Sequence, residues 1–232
     1  MRGILFAAAL AATAITAGAA GASTIYSNDF SVNTTGFSLS GGAAAENAFV
    51  GPERYIGGLT QGATASLTLN TTGLTMLTLT FDLYGILSLD GSSNNGPDPF
   101  RLTVVGGPTL LDETFSNFSF QNQTFGPNAL DPGHTGSDAA LYGHLGYVWP
   151  GHGQNGKDTT YHLTYTFAAT GNSTVLNFVG ASGQGPADER FGIDNVVVSA
   201  AVPEPGIWAL MILGFGAVGV VIRQRRTSAA CA

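Results

Sequence analysis

The clearest pattern in the chain is a strict alternation of apolar and polar residues in several short segments. Residues 77–84 alternate leucine or phenylalanine with threonine, aspartate or tyrosine, and residues 65–69 and 162–167 repeat the pattern. Because successive side chains of a β-strand point to opposite faces, each segment predicts a half-buried strand. Shorter β-branched or aromatic runs predict further strands, at 24–26, 100–105, 110–115, 175–179 and 193–198.

Turn-forming residues separate these segments, and residues 23–201 show no convincing 3.6-residue apolar period. The chain has 33 glycines among 232 residues and only 10 % charged residues, which favours turns and strands over helices. About eight strands over this length predict an all-β fold, a single jelly-roll-like β-sandwich spanning residues 23–201. The Asn-Thr-Thr-Gly sequence at 70–73 predicts a hairpin between its flanking strands.

Residues 121–158 lack the strand pattern and form a long segment rich in glycine and histidine. A connection of this length is either a functional loop or a disordered insertion. It contains Tyr142, Tyr147 and Trp149 beside polar residues. Exposed rings can stack on the apolar faces of sugars, so these three residues are candidates for glycan binding. The alternative is that the rings close a small core beneath the loop.

The N-terminus has the pattern of a secretory signal peptide. Arg2 precedes an apolar stretch at residues 4–15, and the Ala-Gly-Ala sequence at 20–22 offers a cleavage site. A permanent membrane helix is the alternative, but threonines and glycines dilute the apolar run before it reaches spanning length. We therefore predict a cleaved signal peptide at residues 1–22.

The C-terminus has the pattern of a short membrane anchor. Residues 207–222 carry no charge and would span about 24 Å as a helix, somewhat less than the hydrocarbon core of about 30 Å. Trp208 occupies an interfacial position, and the arginines Arg223, Arg225 and Arg226 predict that this end stays in the cytoplasm. A buried C-terminal helix is the alternative, but it gives no reason for an arginine cluster at its end.

The order of Pro203, Glu204, Pro205, Trp208 and the basic end resembles the PEP-CTERM tail, in its PEPxxWA variant, of Gram-negative bacteria that secrete exopolysaccharide. The resemblance implies that an exosortase, a membrane-bound transpeptidase-like enzyme, recognises the Pro-Glu-Pro element and removes the tail. Residues 202–232 would then hold the chain transiently in the inner membrane. After processing, the mature domain would reach the cell surface or the extracellular matrix.

The charge of residues 23–201 limits the range of partners. This region has fourteen acidic and four basic residues, and thus a formal net charge of −10. Such a surface argues against nucleic acid as a partner, but it leaves neutral glycans and divalent cations open. The single cysteine, Cys231, lies beyond the arginines, so the exported domain has no disulfide.

The first and last strands suggest a structural calcium ion. Asp29 follows the first strand and Asp194 lies in the last one, an arrangement similar to that of many extracellular jelly-roll modules, the carbohydrate-binding sandwiches among them. That resemblance implies a calcium ion shared by these two residues and nearby carbonyl groups. A hard cation that joined the terminal strands would compensate for the missing disulfides. The alternative is that Asp194 only marks a polar strand position.

The sequence gives little support for catalysis. Ser182 lacks the glycine spacing of a nucleophile elbow, and thiol chemistry is excluded in the exported region. Asp112-Glu113 and Asp188-Glu189 are adjacent pairs, whose side chains point to opposite faces of a strand. We therefore expect a non-catalytic surface or matrix protein associated with exopolysaccharide. The alternative is a secreted glycan hydrolase whose carboxylates are brought together by the fold.

Overall fold

The structure is a computed structural model, which describes residues 22–93, 96–118, 121–126, 137–151, 156–201, 212–217 and 219. The chain divides into a compact unit at residues 22–201 and a second unit made of the two terminal segments. All strands and both hydrophobic clusters of the described residues lie within residues 22–201. We call this unit the exported domain; because both clusters lie within it, we expect it to fold by itself.

The described part of the exported domain contains eleven strands. They are β1 (Ala22–Asn28), β2 (Phe37–Ser40), β3 (Ala44–Asn47), β4 (Arg54–Leu59), β5 (Ala63–Asn70), β6 (Met76–Leu87), β7 (Pro99–Val104), β8 (Thr109–Thr114), β9 (Thr159–Ala168), β10 (Ser173–Gly180) and β11 (Glu189–Ala201). A single 3-10 turn of the described residues, Ala139–Leu141, lies between β8 and β9. Each segment predicted as a strand is a strand.

Two antiparallel sheets form the sandwich. The first sheet has the order β3-β4-β11-β6-β9, with β1 also paired to β11. The second sheet has the order β2-β5-β10-β7-β8. The alternating apolar residues of β6 and β10 point inward, and Phe81 meets Phe178 across the sandwich with ring centroids 5.2 Å apart. Phe100 and Phe191 make a second contact between the sheets, at 5.3 Å. These contacts confirm the predicted all-β sandwich.

The predicted hairpin at residues 70–73 is wrong. The strand before it, β5, lies in the second sheet, whereas the strand after it, β6, lies in the first sheet. The segment therefore crosses between the sheets. Thr71 fixes this crossing, because its hydroxyl donates to the carbonyl of Gly171 at 2.6 Å and lies 3.0 Å from the hydroxyl of Thr174.

Several predicted features of the two chain ends lie outside the described residues. They are the signal peptide apart from Ala22, most of the 207–222 helix, and the motif residues Pro203, Glu204, Pro205, Trp208, Arg223, Arg225 and Arg226. Residues 212–217 are helical. Of the helices in the described residues, none has the length and apolar character needed to cross a membrane.

Candidate functional site

The outer face of the first sheet carries a second, smaller hydrophobic cluster. Its buried members are Tyr55, Tyr84, Ile86 and Leu145, and Tyr147 packs against them. Tyr55 of β4 and Tyr84 of β6 meet edge to face, with ring centroids 5.5 Å apart. Leu145 and Tyr147 belong to the long connection between β8 and β9. That connection therefore covers part of the outer face of the sheet.

A buried carboxylate holds this connection in place. Asp158 is 0 % exposed and accepts hydrogen bonds from the backbone N–H groups of Leu145 and Tyr147, each at 3.0 Å. Its carbonyl accepts from the N–H of Gly143 at 2.8 Å. Burial raises the pKa of Asp158, whereas the two N–H groups favour its charged form. Residues 143–147, here called the anchored loop, are thus held by the side chain and the carbonyl group of Asp158.

The anchored loop forms one wall of a groove of about 540 Å³, which we call the aromatic groove. Its lining residues are Phe49, Leu87, Gly146, Tyr147, Val148 and Arg190. Phe49 is 78 % exposed, and its ring centroid lies 6.2 Å from that of Tyr147. The guanidinium carbon of Arg190 lies 4.9 Å from the Tyr147 centroid, within the range of a cation–π contact.

Close contacts hold the anchored loop against the segment that carries Phe49. Gly146 has a φ of +83°, and a Cβ atom there would lie 2.5 Å from Cγ2 of Val50. The N–H of Val50 donates to the carbonyl of Leu145 at 3.0 Å, and the Tyr147 hydroxyl donates to the carbonyl of Asn47 at 2.9 Å. A larger residue in place of Gly146 would therefore separate the walls.

The charge of Arg190 is balanced within the wall of the groove. Its Nε lies 3.2 Å from Oε2 of Glu46, and the hydroxyl of Tyr55 donates to the same oxygen at 3.0 Å. The cation is therefore already paired, and the groove is suited to a ligand without charge.

A polar network lies beside the cluster on the outer face. The hydroxyl of Tyr84 lies 2.6 Å from Oε1 of Glu53 and 3.2 Å from Oδ2 of Asp194. Burial raises the pKa of Asp194 to about 7, and the charges of Glu53 and Asp82 add to the rise. Nε2 of His144 lies 3.3 Å from Oε2 of Glu53. The carboxylates of this network therefore have hydrogen-bond or ion-pair partners.

A second histidine joins two elements at the edge of this network. Nδ1 of His162 lies 2.5 Å from Oδ1 of Asp82, and Nε2 lies 3.2 Å from Oδ2 of Asp138. The hydrogen bond to Asp82, followed by the one to Asp138, raises the pKa of His162. His162 thus connects β9 to β6 and to the residue that precedes the 3-10 turn.

Of the three predicted glycan-binding residues, Tyr147 lines the aromatic groove. Tyr142 and Trp149 are not among its lining residues. Nζ of Lys157 lies 5.8 Å from the Tyr142 ring centroid, and the N–H of Trp149 donates to the carbonyl of Gly156 at 2.8 Å. No local sequence pattern marks Phe49 or Arg190 as groove residues, because both reach the groove from distant parts of the chain.

The two predicted calcium ligands lie on or directly after two paired strands but have separate partners. Asp29 follows Asn28, which pairs with Val196. Oδ1 of Asp29 accepts from the N–H and hydroxyl of Ser31, which lowers its pKa. Asp194 is 2 % exposed and accepts from Tyr84. Their shared calcium ion stays a prediction; within the described ranges, no three or more His, Cys, Asp or Glu residues are grouped to hold a metal.

Two further groups considered for catalysis lie inside the domain. Ser182 is 2 % exposed, and its hydroxyl is hydrogen-bonded to that of Thr60. Asp98 and Glu189 come together from distant parts of the chain, and both are 0 % exposed. Burial, followed by the contact with Glu189, raises the pKa of Asp98 to about 9. Neither Ser182 nor this carboxylate pair is accessible to a polymeric substrate.

A second groove, of about 470 Å³, runs along β8 and includes Phe125 and Tyr165. Asp112 and Glu113 also line it, and Asp112 pairs with Arg101 at 2.9 Å. It lies on different elements from the aromatic groove and provides a comparison site for binding experiments.

Residues 201–226 match the PEP-CTERM protein-sorting motif. The match confirms the sorting signal predicted at the C-terminus. A motif of this kind implies export, processing by an exosortase and delivery to the cell surface. None of the curated proteins matches the chain.

Three solved structures with a similar fold are distant from this chain in sequence. The CBM22-1 xylan-binding domain of Paenibacillus barcinonensis Xyn10C is 15 % identical, with a TM-score of 0.38, and the match covers 81 % of this chain and all of that domain. The CBM35 of the same organism is 14 % identical, with a TM-score of 0.36 and coverage of 76 % and 97 %. The K3 adhesin domain of Lys-gingipain from Porphyromonas gingivalis is 10 % identical, with a TM-score of 0.40 and coverage of 77 % and 99 %.

Proposed function

We propose that the exported domain is a non-catalytic module that binds exopolysaccharide through the aromatic groove after export and exosortase processing. The observation that carries this proposal is the exposed ring of Phe49 beside Tyr147. Phe49 is 78 % exposed and lines the groove together with exposed Val148, and a contiguous exposed apolar patch of this kind marks a binding surface. Sugar rings have apolar C–H faces that stack on such side chains, so the pair is suited to a glycan.

The charges of the groove favour a neutral segment of the polymer. Arg190 is paired with Glu46, and the domain as a whole carries a net charge of −10. An anionic polysaccharide would be repelled by this field, and the groove offers it no unpaired arginine.

The positions of the carboxylates support a binding role over hydrolysis. A glycosidase needs two carboxyl groups that contact the bond being cleaved. The pair with raised pKa values, Asp98 and Glu189, is 0 % exposed. Two carboxylates with raised pKa values lie beside the aromatic cluster, Asp158 and Asp194, and they are 0 % and 2 % exposed. Asp158 accepts from the N–H groups of the anchored loop, and Asp194 accepts from Tyr84.

Phe49→Ala should weaken exopolysaccharide binding about tenfold, since loss of one stacking ring costs about 1.4 kcal/mol. The measurement is calorimetric titration of the exported domain with exopolysaccharide from the producing bacterium. Phe49→Tyr keeps the ring and should retain the affinity. Because Phe49 is mostly exposed, neither change should alter the midpoint of thermal unfolding.

Tyr165→Ala tests the second groove in the same way and should leave the affinity unchanged. If Tyr165→Ala weakens binding while Phe49→Ala does not, the glycan site lies along β8 and the aromatic groove is the wrong assignment. If the unaltered domain does not bind, the proposed function is wrong, and a matrix spacer or an enzyme with another substrate remains.

Deletion of Pro203–Pro205 should leave the full chain in the inner membrane, because the exosortase then lacks its recognition element. Fractionation of cells that express the tagged chain measures this outcome, with Thr227→Ala beyond the motif as the control. Unchanged delivery to the cell surface would contradict the assigned role of the sorting motif.

A further inference from the structure

Two carboxylates from opposite sheets meet at one end of the sandwich. Asp98 immediately precedes β7 in the second sheet, and Glu189 is the first residue of β11 in the first sheet. Both residues are 0 % exposed, and their side chains lie within hydrogen-bonding distance of each other. Asp90 and Asp188 lie close enough to add negative charge to this pair.

Each carboxylate has one satisfied and one unsatisfied oxygen. Oδ2 of Asp98 accepts from the N–H of Asp90, and Oε1 of Glu189 accepts from the N–H of Gln184 at 2.9 Å. The other two oxygens, Oδ1 of Asp98 and Oε2 of Glu189, have no hydrogen-bond partner in the described part of the chain. Buried polar atoms are almost always paired, so either a shared proton or a bound cation must join these two oxygens.

The neighbouring arginine does not balance this pair. Nε of Arg190 lies 3.2 Å from Glu46, and one of its terminal nitrogens donates to the carbonyl of Pro186 at 2.5 Å. Two buried carboxylates that are both ionised are unfavourable unless a positive charge compensates them.

We propose that Asp98 and Glu189 bind a hard divalent cation, for which calcium is the natural candidate outside the cell. Calcium binds carboxylate, carbonyl and water oxygens in flexible geometry, so two carboxylates can suffice as its charged ligands. The ion would join the start of β7 to the start of β11 and thereby connect the two sheets. This site is separate from the pair Asp29 and Asp194 and does not depend on the proposed glycan site.

A shared proton is the rival explanation. Burial and the contact with Glu189 raise the pKa of Asp98 to about 9, so in the absence of a cation the pair would hold one proton at neutral pH. If the pair holds a proton, a chelator should leave the midpoint of unfolding unchanged. If it holds a cation, the chelator should lower the midpoint.

The test is thermal unfolding of the exported domain at pH 7, stripped with chelator and then titrated with calcium. At a calcium concentration about 100-fold above Kd, the midpoint should rise by about 5–10 °C. Asp98→Asn and Glu189→Gln should each abolish that rise. Asp112→Asn, which changes an exposed carboxylate of the second sheet, should keep the full rise.

The amide variants should remain folded. An amide nitrogen in place of Oδ1 of Asp98 can donate to Oε2 of Glu189, so Asp98→Asn should unfold no earlier than the chelated wild-type domain. The stoichiometry of bound calcium, measured by elemental analysis, should be one lower in both variants. The proposal is overturned if calcium does not shift the midpoint of the wild-type domain, or if both variants keep the shift, which would place the ion at Asp29 and Asp194 or elsewhere.

Discussion

Gly180→Ala is expected to destabilise the exported domain by about 3 kcal/mol, a large part of the 5–15 kcal/mol typical of a domain. Gly180 ends β10, where a Cβ atom would lie 1.9 Å from the carbonyl oxygen of Leu59 and 2.2 Å from its carbonyl carbon. Both atoms belong to the backbone, so no rotation of a side chain relieves the clash. The strand would have to move away and lose the hydrogen bond from the N–H of Gly62 to the Gly180 carbonyl, now 2.8 Å long.

Gly183→Ala is the matched control for this prediction. Gly183 lies three residues further along the chain, and a Cβ atom there would meet no atom within 4 Å. The free energy of unfolding of Gly183→Ala should differ from that of the wild-type domain by less than about 0.5 kcal/mol. Urea denaturation of both variants makes the measurement. Equal stability of the two variants would contradict the close packing of β10 against the β4–β5 turn.

Alternation of apolar residues predicted the strands with one buried and one more exposed face, but it missed β4. The sequence of β4 is Arg-Tyr-Ile-Gly-Gly-Leu, and all of its residues after Arg54 are buried. The anchored loop and Tyr84 cover its outer face, so both faces are apolar and no period of two remains. The strands β2 and β3 have only four residues each, which is too short for a periodic signal.

The wrong hairpin at residues 70–73 has a different physical cause. Asparagine, threonine and glycine favour a change of chain direction, but this preference is local. It does not determine whether the next strand pairs with the previous one or crosses to the opposite sheet. That choice depends on distant partners, here the hydrogen bond from Thr71 to the carbonyl of Gly171.

The candidate sites show the same limit. Tyr147 could be predicted because it is an aromatic residue in a long polar loop. Phe49 and Arg190 reach the groove from positions 98 and 43 residues away, and adjacency of this kind leaves no local pattern. The same holds for Asp98 and Glu189, since the sequence pairs Glu189 only with its neighbour Asp188, whereas the fold pairs it across the sandwich.

Asp158→Ala is expected to destabilise the exported domain by about 3 kcal/mol and to weaken exopolysaccharide binding more than Phe49→Ala does. The change leaves the N–H groups of Leu145 and Tyr147 without their acceptor, and hydrogen bonds to a charged group contribute about 1.5–3 kcal/mol each. The anchored loop would then open. Because Tyr147 lines the aromatic groove, the stacking surface for the glycan would be lost with the loop.

Amide hydrogen exchange at Leu145 and Tyr147 distinguishes this mechanism from general destabilisation. In Asp158→Ala both amides should exchange much faster, whereas the amides of β10 should still require global unfolding. Asp158→Asn keeps one acceptor oxygen, so its stability should lie midway between those of the wild-type domain and Asp158→Ala. Asp138→Ala removes a partly exposed carboxylate that accepts from the N–H of Ala140, and it should leave the exchange of the anchored loop unchanged. Unaltered protection of Leu145 and Tyr147 in Asp158→Ala would show that contacts with Asn47 and Val50 suffice to hold the loop.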